Sequence, residues 1–253
     1  MKHFKILITT ALLLLCSLVQ GRQFVDRNFV SSLGQTIPYK VAFPEAFDPA
    51  ESYPVLLFLH GAGERGTDNG RQIVHGGKLL LNDPGLQNVI VIAPQCPEED
   101  YWVSIVRPVD NANRTFPEAA PISASLFGVK ELLDSFISLG FVDTEHIYGS
   151  GLSMGGFGIL DLTVRFPELF AAVQPICGGI NTERLRDWNG KTAFRFFHGL
   201  KDDIVLPKFS IEADKVLRGK GIESSIVTYP EANHNSWDSA FAEPDFVKWF
   251  IKH

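Results

Sequence analysis

Cysteine is scarce in this chain, three among 253 residues, and one of the three, Cys16, sits inside an apolar N-terminal run. So few thiols exclude a small disulfide-stapled scaffold. No group of Cys and His has the spacing of a metal centre, and no G-x-G-x-x-G opens a helix after a strand, so no metal and no cofactor are expected. A basic excess is missing as well: 23 Lys and Arg stand against 29 Asp and Glu. That balance offers nucleic acid no surface. The longest apolar stretch, 6–19, falls short of the ~20 residues that a membrane-spanning helix needs. No repeat, linker or low-complexity run divides the chain, so the remainder fits one domain with one large core.

What the apolar stretch does offer is an export signal. Lys2 and Lys5 precede it, and Val19-Gln20-Gly21 places a small residue at the expected cut. Cys16 follows Leu15, where lipid attachment calls for a small residue, so a signal peptide over 1–21 is preferred to a lipid anchor. The mature chain, 22–253, is then expected to be secreted or periplasmic. Removing Lys2 and Lys5 takes the 23 basic residues to 21 against 29 acidic ones, a formal charge of −8 in place of −6.

The most informative segment is GLSMGG, Gly151 to Gly156, in which a serine stands between two glycines as G-x-S-x-G. A strand that turns straight into a helix while pushing out one hydroxyl needs such neighbours, because a Cβ at Gly151 or Gly155 would crowd the backbone. The flanks agree. A short buried strand is expected over 146–149, and a helix over 154–166 that stops before Pro167. Ser153 is the candidate nucleophile.

In a nucleophile elbow of this kind the acid and then the base follow the serine along the chain. Of the later histidines, His253 is terminal, and His198 comes before any plausible acid. His234, in the loop after the strand expected over 225–229, is left as the base. Two aspartates compete for the acid role in HGLKDD, Asp202 and Asp203, and at most one of them can reach the imidazole.

The developing oxyanion needs two N–H donors, one just after the nucleophile and one from the loop after an earlier strand. The apolar run 55–59 reads as a strand buried on both faces, and it ends in His60-Gly61-Ala62-Gly63. The N–H groups of Met154 and Ala62 are assigned to this oxyanion hole, with Gly63 as the substitute for Ala62. His60, placed ahead of the nucleophile, is read as structural, its imidazole tied to loop backbone.

Taken together, LFLHGAGERGTDN, IAPQCP, IYGSGLSMGGFG, PICGG, HGLKDD and NHNSWD resemble a secreted bacterial α/β-hydrolase family. That family comprises predicted carboxylesterases, phospholipase/carboxylesterase-like and feruloyl-esterase-like enzymes, near the dienelactone hydrolases and the prolyl oligopeptidase catalytic domains. In similar H-G-x-x-D stretches the aspartate four residues after the histidine is the acid, which here is Asp202. The resemblance implies an α/β fold with a mostly parallel sheet of about eight strands, helices on both faces, and no large cap domain. Gly149-Ser150 departs from the family pattern, which often has a β-branched residue there, and this is expected to loosen the strand. In the family's strand order the strands preceding Cys96 and Cys177 are separated by two others, roughly 14 Å at ~4.8 Å per strand. Bridged Cα atoms stay within ~7 Å, so two free thiols are expected.

The function implied is a secreted serine carboxylic-ester hydrolase acting on short acyl or hydroxycinnamoyl esters of carbohydrate. Only about fifteen residues join the strands ending at Ile176 and starting at Ala193, too few for the helical cap that encloses a long acyl tail. Trp102, in the irregular stretch 97–121, and Trp237 are candidate ring platforms. Arg65 is a substrate contact or a loop-bracing ion pair. A peptidase of prolyl-oligopeptidase type, or an inactive fold relative that binds a sugar or partner, are the competing readings. The sequence leaves the oligomeric state open.

Overall fold

The computed structural model describes residues 22–106 and 115–253. The expected signal peptide, 1–21, lies outside the described residues. The eight strands are β1 (Val25–Val30), β2 (Thr36–Ala42), β3 (Tyr53–Leu59), β4 (Ile90–Pro94), β5 (Val142–Leu152), β6 (Ala172–Ile176), β7 (Ala193–Gly199) and β8 (Ser224–Tyr229). They form one sheet in the order β1-β2-β4-β3-β5-β6-β7-β8. The pairs β1·β2 and β2·β4 are antiparallel, and every pair from β4 to β8 is parallel.

The central strands read as unbroken apolar runs because both faces are covered. In β3, Val55, Leu57 and Leu59 pack into one core cluster while Leu56 and Phe58 pack into the other. β4 divides in the same way, with Ile90 and Ile92 on the first side and Val91 and Ala93 on the second. Alternate residues of a strand point to opposite faces, so two layers of helices are needed to bury them. The first layer is α2 (Ala124–Ile137), α3 (Met154–Arg165) and α5 (Lys208–Gly219), which contribute Leu126, Phe157 and Leu217. The second is α1 (Gly77–Asn82), α6 (Trp237–Phe241) and α7 (Phe246–Ile251), with Leu80, Ala240 and Phe250. Each such side chain removed from water contributes ~1.5–3 kcal/mol, so the two-sided core outweighs the local strain described below.

Several boundaries differ from the sequence expectation for identifiable reasons. β5 runs over Val142–Leu152 rather than 146–149, because its register against β3 slips between Tyr53↔Val142 and Val55↔Ile147. The extra residues form a polar bulge in which Asp143 holds His146 at 2.7 Å and accepts from the Glu145 N–H at 3.0 Å. That bulge hides the start of the strand from a reading based on apolar continuity. Between β6 and β7 lies only a four-residue turn of helix, α4 (Glu183–Arg186), so no cap domain rises over the sheet there. Gly149 does not loosen its strand: a Cβ there would come within 3.1–3.2 Å of Phe170 and Ile159, which already fill the space. Cys96 and Cys177 are both free and buried. Burial pushes the Cys96 thiol up to about 12.

Candidate active site

The residues of interest all lie at the carboxyl ends of parallel strands, the edge at which open α/β sheets place their sites. Ser153 follows β5 directly and has φ 51 and ψ −114, a backbone conformation that side chains rarely adopt. What holds it there is the closeness of the surrounding backbone. A Cβ on Gly155 would lie 1.9 Å from the Leu59 carbonyl oxygen, and one on Gly151 would lie 2.6 Å from the Gly155 backbone. The elbow therefore rests against the end of β3, and only glycine permits the contact. The N–H of Ser153 donates to the Ile176 carbonyl at 2.9 Å, which fastens the turn to β6 as well.

Three side chains from separate segments meet here. The Ser153 hydroxyl lies 2.8 Å from Nε2 of His234, and Nδ1 of the same ring lies 2.8 Å from Oδ2 of Asp202. A carboxylate only accepts, so Nδ1 carries the ring proton and Nε2 is left to accept from the serine hydroxyl. Asp202 is 3% exposed. Its other oxygen accepts from the N–H groups of Ile204 and Val205 at 3.0 and 2.9 Å. Burial alone would raise its pKa, but hydrogen bonds from His198 and His234, the His234 charge and the Val205 N–H together hold the carboxyl well below the usual range. Asp203, the competing acid, is exposed.

His198 precedes the acid in the chain, which argues against it as the base, yet it lies directly behind that acid. Fully buried, its Nε2 is 2.8 Å from the Val205 carbonyl and 3.3 Å from Asp202 Oδ2, while Nδ1 is 2.8 Å from the Ser210 hydroxyl. The carbonyl and the carboxylate both need a donor, so Nε2 carries the proton that faces Asp202. The acid thus stands between two imidazoles. No spacing rule in the sequence marks the second one.

The oxyanion loop is built by a third histidine. The Cys96 N–H donates to His60 Nε2 at 2.9 Å, so Nδ1 carries the proton and donates to the Gly61 carbonyl at 2.6 Å. Burial lowers the His60 pKa to about 4, which keeps this ring neutral. The Gly61 carbonyl and the Ala62 N–H belong to one planar trans peptide, so drawing the oxygen toward His60 turns the Ala62 N–H the other way. Met154 is the first residue of α3, where helical geometry leaves the N–H without an internal acceptor. The first backbone bond of the helix comes only at Phe157, to the Ser153 carbonyl at 3.1 Å.

The surroundings of Trp102 and Arg65 show what each side chain holds. Trp102 is 0% exposed and cannot serve as a platform. Its indole N–H donates to the His60 carbonyl at 3.1 Å, and the ring lies against Gly158, so it props the oxyanion loop from behind. Arg65 forms no ion pair among the described residues and braces the loop through backbone carbonyls instead. Its guanidinium donates to the carbonyls of Ala62, Glu98 and Asp100 at 3.0, 2.8 and 3.1 Å and covers the Tyr101 ring at 5.6 Å. Trp237, by contrast, does reach the cleft, with its ring edge-on to His234 at 5.6 Å between centroids.

The cleft has a volume of ≈ 400 Å³, and Ala62, Ser153, His234, Trp237, Tyr101 and Ile204 are among the residues that line it. Glu64 and His75 also face it, and neither carried a signal in the sequence. One group among the described residues has the proximity of a metal site, Cys177 with Asp202 and His234, whose ligand atoms lie within 4.8 Å of one another. Its chemistry fits poorly: the carboxylate and imidazole are bonded to each other, and burial raises the thiol far from the thiolate that a metal requires.

No protein-family model matches the chain. The mouse lysophospholipase-like protein 1 is 25% identical over 196 residues, covering 71% of this chain and 79% of that protein. A probable carboxylesterase from Oryza sativa subsp. japonica is 23% identical over 218 residues, covering 80% and 89% respectively. Among solved structures, a thermostable esterase superposes with a TM-score of 0.76 at 31% identity, over 90% of this chain and 62% of that one. With an eight-stranded mostly parallel sheet, a serine elbow at its carboxyl edge and esterases among its relatives, this chain is an α/β-hydrolase, an esterase-type serine hydrolase.

Proposed function

We propose that the chain is a secreted carboxylic-ester hydrolase acting on short acyl or hydroxycinnamoyl esters of carbohydrate, with Ser153, His234 and Asp202 as its catalytic triad. The observation that carries the proposal is the continuous hydrogen-bond chain from the Ser153 hydroxyl through the His234 ring to the Asp202 carboxylate, 2.8 Å at each link. Ser153 Oγ attacks the ester carbonyl while His234 Nε2 takes the hydroxyl proton. The tetrahedral oxyanion is met by the N–H groups of Met154 and Ala62. Collapse expels the alcohol, which receives the proton from His234, and leaves an acyl-serine. Water, deprotonated by the same imidazole, then frees the acid and restores the serine. Asp202 keeps the ring in the required tautomer throughout and stabilises the imidazolium.

The substrate part of the proposal is supported by the shape of the cleft. Among the described residues no cap encloses it, so a long acyl chain finds little apolar wall, and each CH₂ left in water forgoes ~0.8 kcal/mol. Tyr101 and Trp237 supply aromatic walls suited to a cinnamoyl or sugar ring. Export is supported by the leader-like pattern of 1–21. Acetyl, butyryl, palmitoyl and feruloyl esters, assayed beside acetylated and feruloylated xylan, test the proposal. Turnover of the short and feruloyl esters is expected to exceed that of the palmitoyl ester. Strong preference for palmitoyl refutes the short-acyl reading, and indifference to every carbohydrate ester reduces the enzyme to a general carboxylesterase.

A further inference from the structure

The Glu64 side chain is only 15% exposed, and it faces the cleft two residues beyond the proposed oxyanion donor Ala62. A carboxylate so enclosed ordinarily collects several hydrogen bonds. Here no hydrogen-bond donor reaches it among the described residues. The basic side chain that faces it is His75, whose Nε2 lies 3.6 Å from one carboxylate oxygen, beyond a direct hydrogen bond. The other oxygen lies over Gly61, where even a Cβ would approach it to 2.9 Å.

These groups form one wall of the cleft. The His234 ring contacts Trp237, the Trp237 ring contacts His75 at 5.1 Å, and His75 faces Glu64. The wall is fixed in place because Gly76, with φ +80, lets α6 close in: a Cβ there would stand 2.9 Å from the Phe241 ring. In the mechanism proposed above, His234 hands its proton to the departing oxygen, so the alcohol half of the ester lies against His234 and along this wall.

We infer that Glu64, with His75 beside it, selects the alcohol half of the substrate, accepting hydrogen bonds from its free hydroxyl groups and turning away alcohols that bear a carboxylate. The inference rests on the esterase reading and deepens it. A fixed, enclosed acceptor gains most from a neutral donor-bearing group, whereas a second negative charge meets repulsion in a partly desolvated space. The substrate class is accordingly the neutral polyol or sugar ester, and this selection acts on the leaving group, beside the acyl preference set by the open cleft.

Three acetate esters of similar size separate the possibilities: glycerol 1-acetate with two free hydroxyls, n-propyl acetate with none, and O-acetyl-lactate with a carboxylate. Wild-type kcat/KM is expected to fall in that order, on the order of 10-fold at each step. Glu64→Gln should raise the rate on O-acetyl-lactate relative to n-propyl acetate on the order of 10-fold, and Glu64→Leu should bring glycerol 1-acetate and n-propyl acetate to near parity. Should Glu64→Leu fail to fold, the nearly isosteric Glu64→Gln still decides the matter. Equal wild-type rates on all three esters, or an unchanged ratio in Glu64→Gln, overturn the selection by Glu64 while leaving the esterase reading intact. Failure of the wild-type enzyme to hydrolyse any of the three overturns both.

Discussion

Ser153→Ala is expected to lower hydrolysis of a small aryl ester on the order of 10³-fold or more while leaving the unfolding midpoint near that of the wild type. The substitution deletes one oxygen, 2.8 Å from His234 Nε2. The site is 8% exposed and opens on the cleft, so water can take the place of the lost hydroxyl. The backbone supports of the elbow, the glycines and the Ser153 N–H bond to Ile176, are untouched. A phosphonate probe should label the wild type and fail to label the variant, as read by intact mass. A folded Ser153→Ala variant with near wild-type turnover would end the triad mechanism and favour a binding protein on a hydrolase fold.

Asp202→Asn should cost on the order of 10²-fold or more in kcat, whereas Asp203→Asn should cost little. The asparagine amide leaves the His234 Nδ1–H without its charged acceptor, and the ring loses its enforced tautomer. If Asp203→Asn proves to be the crippled variant, the acid lies one residue further along the loop. Stability supplies a second readout with a definite sign. The folded-state pKa of Asp202 is lowered, so its ionisation stabilises the native state above the unfolded value of ~3.9, and that contribution is lost as the pH falls through the lower folded value. Asparagine cannot contribute in this way. The Tm difference between wild type and Asp202→Asn should therefore be widest near neutrality and narrow below about pH 4, as measured by calorimetry across that range.

The parts of this molecule that could be read from the chain are those in which neighbours along the sequence are also neighbours in space. The apolar runs of β3 and β4 declare two-sided burial by themselves. Ser153 declares its turn through Gly151 and Gly155, and chain order then restricts the histidine and the aspartate that meet it. Where contacts converge from distant segments, local pattern was silent or misleading. Trp102 sits among acidic and polar residues, which suggests an exposed ring, yet its indole is drawn inward by the His60 carbonyl 42 positions earlier. Arg65 suggests a carboxylate partner, but its partners are backbone carbonyls, which have no sequence signature. His198, Glu64 and His75 belong to the site only because separate strand ends and loops fold to one place.

The unusual φ of Ser153 sets folding against chemistry at a single position. Among natural residues, glycine would occupy that conformation with least strain, so Ser153→Gly relieves steric cost in the native state even as it frees the unfolded chain. Stability alone gives no reason for a hydroxymethyl group at this turn. Its presence there ties the fold's resilience to the reaction: the scaffold around the elbow has to be rigid enough to carry a residue that the backbone itself would discard.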